Sequence, residues 1–201
     1  MILFIIVRGK ILKAIFYYSD ILSSFLMINK SDLLKKLFDE IIIPEQVFFE
    51  LTHPKSPKHM KSKLKELIKE EYVKIHEVGI NTKEYEIFDD IICEKWTKGV
   101  GDGEASAIAA AICHDGILAS NNITDVKFYI DKFSIPLLTS SIILTKLFEK
   151  KLINEKEVEK YWREMILKNR KLPAPTFSKY YEKLFKKDFK EFNCNKYYKD
   201  L

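Results

Sequence analysis

The feature that most restricts the fold is an alternation. Short, continuous apolar runs are separated by stretches whose apolar residues recur at helical spacing. Runs without polar alternation suit strands buried on both faces, and such strands between amphipathic helices make βαβ units around a parallel sheet. Residues 11–18, 41–43, 73–78, 116–120 and 136–138 read as strands. Ser19 and Asp20 offer an N-cap for a helix carrying Ile21, Leu22, Phe25 and Leu26. Pro44 suits the start of a helix bearing Val47, Phe48 and Leu51. Further helices are expected over 61–71, 83–96, 104–114 and 125–133, and the pattern from Ser140 onward is helical. The expected class is α/β: a three-layer α/β/α arrangement with a central parallel sheet of about four or five strands and helices on both faces.

A C-terminal helical extension is expected to follow, dividing the chain into residues 1–172 and 173–201. Phe177, Tyr180, Tyr181, Leu184 and Phe185 stand at helical spacing with lysines between them. They read as an amphipathic helix capping the body, with Tyr181 and Phe185 packed against it. A partner-binding or nucleic-acid-binding appendage is the alternative.

Hydrophobic residues make up 47% and charged residues 31%, which excludes a disordered chain and provides for a sizeable core. The net charge of +5 is compatible with a nucleic-acid partner without demanding one. Three cysteines, far apart and odd in number, argue against a disulfide framework or a zinc site and for reduced thiols. The apolar start over residues 1–7 is stopped by Arg8, Gly9 and Lys10. It is shorter than the roughly 20 residues a bilayer needs and lacks the marks of a secretory signal. It reads as a buried strand or a poorly ordered leader, so a cytoplasmic protein without a membrane partner is expected.

Four acids stand near strand ends or helix starts, along the edge where open α/β sheets place their sites: Asp20, Glu50, Glu104 and Asp125. Carboxylates gathered in one cleft repel one another unless a cation offsets the repulsion, and Mg²⁺ or Mn²⁺ is suited to that donor set. Each acid also has a plainer reading. Asp20 serves as well for a helix cap, Glu50 for a solvated helix face, and Glu104 for a residue favoured by the macrodipole. Asp102 suits an N-cap, while Asn121 and Asn122 suit turns, since asparagine tolerates the left-handed conformation. Lys168, Arg170 and Lys171 could meet phosphate or form a solvated face. His53, His59, His76 and His114 show no ligand spacing, and none is assigned to a metal.

Three stretches, in order, carry a resemblance. IIIPEQVFFEL (41–51) resembles the strand, proline and helix by which PIN-domain nucleases deliver a metal-binding glutamate. GDGEASAIA (101–109) is similar to that family's glycine turn with an acid opening a helix, and ILASNN (117–122) to its aspartate-ending strand. The resemblance covers roughly residues 11–170. It implies a metal-dependent ribonuclease, with Glu50, Glu104 and Asp20 as catalytic residues. Asp20, Glu50, Glu104, Asn121 and Asp125 would hold Mg²⁺ or Mn²⁺. It also implies single-stranded RNA as substrate, with an antitoxin or other protein partner, or a homodimer. The chain departs from the pattern at two places. Aligning ILSSF (21–25) puts Tyr18 where the first aspartate belongs, and Asn121 and Asn122 replace the later aspartates. The alternative is therefore the same fold without catalysis, binding RNA or protein. An enzyme on another doubly wound fold finds no support, since there is no GxGxxG, Walker loop or GxSxG.

Overall fold

The apolar runs form strands, and their neighbours decide where each begins. The computed structural model describes residues 4–7, 10–93 and 99–184. The run expected as one strand over 11–18 is two. β1 (Phe4–Val7) pairs antiparallel with β2 (Lys10–Lys13) in a separate ribbon, whereas β3 (Ile15–Tyr17) enters the central sheet. The reason is hydrogen-bond supply. Ile15 pairs with Ile117, the first residue of its neighbour, and Ile117 N–H donates to the Ala14 carbonyl. Among the described residues, 10–13 pair with the N-terminal strand rather than in the main sheet, which supplies their backbone groups with partners.

From β3 the chain runs through α1 (Ser19–Met27) and the short α2 (Asp32–Lys35) to β4 (Ile41–Pro44). Helices α3 (Glu45–Thr52) and α4 (Lys58–Lys69) lead to β5 (Val73–His76). Then follow α5 (Lys83–Ile92), α6 (Asp102–Cys113), β6 (Ile117–Ala119), α7 (Ile123–Phe133) and β7 (Leu137–Leu138). Helices α8 (Ser140–Glu149), α9 (Glu155–Leu167) and α10 (Phe177–Leu184) complete the described residues. β5-β4-β3-β6-β7 is the order of a five-stranded sheet in which every pairing is parallel, flanked by helices as the α/β/α reading expects.

Ile15, Phe16, Tyr17, Ile41, Ile42 and Ile43 are all buried, which is why these strands read as unbroken apolar runs. The alanine-rich α6 lies against β3, β4 and β6, with α3 and α5 packed beside it. Its alanines at 105, 107, 109 and 110 are buried, and small side chains allow the helix to sit close to the sheet. Gly116, entering β6, is a position where a Cβ would stand 2.8 Å from the Ala14 carbonyl oxygen and 2.8 Å from the Phe16 ring. Only glycine fits that approach.

Helix α10 rests on α9. Phe177 and Tyr180 are buried, and both pack their rings against Trp162, whose indole N–H donates to the Ala174 carbonyl at 2.9 Å. Half-buried Tyr181 meets the Phe148 and Phe177 rings, each at 5.4 Å between centroids. Phe185 lies outside the described residues. Among those described, no helix is long and apolar enough to cross a membrane.

Candidate functional site

Sheet topology locates the site. The chain moves outward from β3 to β4 and β5, then returns past β3 to β6 and β7. The connections leaving β3 and β6 therefore diverge, and a crevice opens at the carboxyl ends of those two strands. The last rung between them is Tyr18 N–H to the Ala119 carbonyl, at 2.9 Å.

Asp20 lies just beyond that rung. It does not cap α1: the N-cap is Tyr18, which makes no side-chain cap bond. Instead the Asp20 carboxylate turns across the crevice, and its Oδ2 accepts the Asn121 backbone N–H at 2.7 Å. Its Oδ1 is buried with no hydrogen-bond partner among the described residues. Burial pushes this acid up to about 6, against the backbone donors of Asn121 and Ile21 and the positive charge of Arg170.

Glu104, in the first turn of α6, is 2% exposed. Its Oε1 accepts the Ser120 hydroxyl at 3.3 Å, and its Oε2 accepts the Asn122 amide at 3.4 Å. The same Asn122 amide donates to Asp125 Oδ2 at 2.5 Å. Burial, then the charges of Asp20 and Asp125, push Glu104 up to about 8. Asp20 of α1 and Asp125 of α7, which line a cleft of about 470 Å³, thus both act on the buried Glu104 of α6. Tyr18, Asn121, Asn122, Arg170 and Lys171 line the cleft with them. The Arg170 guanidinium donates to the Ser23 hydroxyl at 3.2 Å, which holds it beside α1.

The other expected residues are placed differently. Glu50 is an exposed residue of α3, and its Oε1 accepts the Gly103 backbone N–H at 3.2 Å. Helix α6 has Gly101 as N-cap with no side-chain cap bond, so Asp102 is not its cap and Glu50 supplies the missing acceptor from another helix. A Cβ on Gly103 would lie 2.6 Å from the Glu50 carboxyl carbon, so this glycine leaves room for the carboxylate. Asn121, expected among the metal ligands, has its amide engaged by Ser140. It donates to the Ser140 hydroxyl at 3.0 Å and accepts the Ser140 backbone N–H at 2.9 Å. Neither Asn121 nor Asn122 adopts the left-handed conformation of a turn former. Tyr18, at the place of the resembled aspartate, has its phenol pushed up to about 12 by burial, then by Glu50, with smaller contributions from Glu104 and Asp20. It is a neutral hydroxyl amid acids.

A second convergence escaped the reading of spacing, which assigned no histidine to a metal. His76 Nε2 lies 2.8 Å from Glu84 Oε1, and His114 Nε2 lies 3.1 Å from Glu84 Oε2. The three come from the end of β5, the first turn of α5 and the C-cap of α6. No local motif links positions 76, 84 and 114, so only strand order could reveal the group.

A family model described as a PIN domain matches residues 17–185. Comparison with curated proteins gives no match.

Proposed function

Since the chain belongs to the PIN-domain family and so has a nuclease-like fold, we propose that it is a metal-dependent ribonuclease acting on single-stranded RNA. The observation that carries this reading is the buried Asp20 Oδ1, without a hydrogen-bond partner among the described residues, on a carboxylate that acts with Asp125 on Glu104. Folding has placed acids together where burial holds Asp20, and burial with the charges of Asp20 and Asp125 holds Glu104, well above their ordinary range. A hard cation offsets that cost, and an oxygen-rich donor set suits Mg²⁺ or Mn²⁺. These residues fit such an ion: Asp20, Glu104 and Asp125 would hold it. When bound, the ion supplies an activated water and stabilises charge on a transferring phosphoryl group.

The chain's own groups supply the rest. Arg170 and Lys171, which line the same cleft, bind and orient the RNA phosphates. Glu50 serves at one remove by fixing the first turn of α6, which carries Glu104. Tyr18 offers a hydrogen-bond donor to an RNA oxygen rather than a ligand to the ion.

Two observations favour a second reading, a module that binds RNA or a protein partner without cutting. Asn121 is fastened to Ser140, and Tyr18 is neutral where the resembled pattern has an aspartate. Incubation of purified protein with single-stranded RNA, with Mg²⁺ or Mn²⁺ and with chelator, separates the two. The ribonuclease reading expects slow cleavage that chelation abolishes, reduced about a hundredfold or more in Glu104→Gln. Binding that weakens with salt, without cleavage at any metal concentration, supports the module. Cleavage unchanged in both Glu50→Gln and Glu104→Gln would sink the mechanism.

A further inference from the structure

We propose that His76, Glu84 and His114 form a second metal site, selective for zinc or a similar late first-row divalent ion and separate from the acidic cleft. One ligand atom from each lies within 4.8 Å of the other two. Ligand atoms about 2 Å from a tetrahedral ion stand a little over 3 Å apart. The two nitrogen–oxygen separations, 2.8 and 3.1 Å, are already near that spacing. The rings are also differently oriented, His76 and His114 being edge to face with centroids 5.2 Å apart. Their nitrogens thus approach the carboxylate from different directions.

Without an ion, an Nε2–H on each ring would serve the carboxylate, which only accepts. A neutral imidazole can instead carry its proton on Nδ1, which leaves the Nε2 lone pair for a cation. Two imidazoles and one carboxylate suit zinc, whereas Mg²⁺ prefers oxygen. Water would complete the coordination. The side chains are 10–18% exposed, and the Phe16 ring lies against both imidazoles at 5.6 and 5.5 Å. Such shielding strengthens ion–ligand attraction and leaves little access for substrate, so the role is to fasten structure. The ion would tie the edge strand β5 to α5 and to the C-terminal end of α6. Glu104 and His114 are ten residues apart on or capping α6, about 15 Å along the axis. The two sites therefore share one helix without sharing a ligand.

The test is titration of the full chain, stripped with chelator, with Zn²⁺ followed by calorimetry and thermal melting. In excess Mg²⁺, which occupies the acidic cleft, wild type should bind one equivalent and melt higher. The His76→Gln/His114→Gln and Glu84→Gln variants should bind at least about tenfold more weakly, since even changes outside the ligands act on that scale. Glu50→Gln/Glu104→Gln should bind as wild type does. Equal binding by wild type and the double-histidine variant overturns the proposal. So does loss of binding in Glu50→Gln/Glu104→Gln, which would send the ion to the cleft. X-ray absorption of the zinc-loaded wild type needs no variant to fold. Scattering from two imidazoles is expected, and a shell of oxygen alone refutes the site.

Discussion

Glu104→Gln should make the metal-free protein more stable at alkaline pH while destroying its response to Mg²⁺. Glu104 ordinarily titrates near 4.5 and in the fold is pushed up to about 8, by burial first and then by Asp20 and Asp125. Between those values the folded chain holds a proton that the unfolded chain has released. Stability is therefore fully present below about 4.5, falls as pH rises through that window, and reaches its floor above about 8. Asp20, moved from 3.8 to about 6, adds a loss of the same sign at lower pH. At about 1.4 kcal/mol per pH unit, the Glu104 gap alone has an upper bound of about 5 kcal/mol. Local relaxation and water entry reduce this, and about 2–3 kcal/mol is expected. Glutamine keeps the shape and removes the charge. Urea denaturation at about pH 5 should find variant and wild type within about 1 kcal/mol. At about pH 8.5 the variant should be the more stable by the 2–3 kcal/mol already derived. Saturating Mg²⁺ should flatten the wild-type profile and leave the variant unmoved, since only a folded-state ligand stabilises by mass action. A wild-type profile that is flat or rises between about pH 5 and pH 8 would refute the argument, as would a variant weaker than wild type at the higher pH.

Two further changes probe the supports of the site. Gly103→Ala should leave stability within about 1 kcal/mol, because alanine is the better helix former and the colliding Glu50 carboxylate is the end of a flexible, exposed side chain. It should nonetheless lower metal-dependent cleavage by displacing that carboxylate, and full activity in the variant would remove Glu50 from the machinery. Phe177→Ala should cost about 3–5 kcal/mol in urea denaturation, since the ring is 2% exposed and packs against Trp162 and Phe148. An unchanged midpoint would mean that α10 does not brace the body.

Residue pattern determined much of this protein. Unbroken runs such as Ile41-Ile42-Ile43, bounded by Pro44, read as strands covered on both sides, and helical spacing placed Phe177, Tyr180 and Tyr181 on one packed face. The places of Asp20, Glu50, Glu104 and Asp125 near strand ends or helix starts made these four acids the candidates. These are local properties, written in a few adjacent side chains. What depended on pairing over distance was decided by the tertiary structure alone. The partner strand set where β3 begins, the approach of α3 to α6 turned Glu50 into a cap, and the first residue of α8 took the amide of Asn121. Arg170 reaches Asp20 across most of the chain, and His76, Glu84 and His114 meet only because the return from β5 to β6 lays α6 across the sheet. Such contacts follow from the order in which strands stand side by side, and no spacing within the chain records that order.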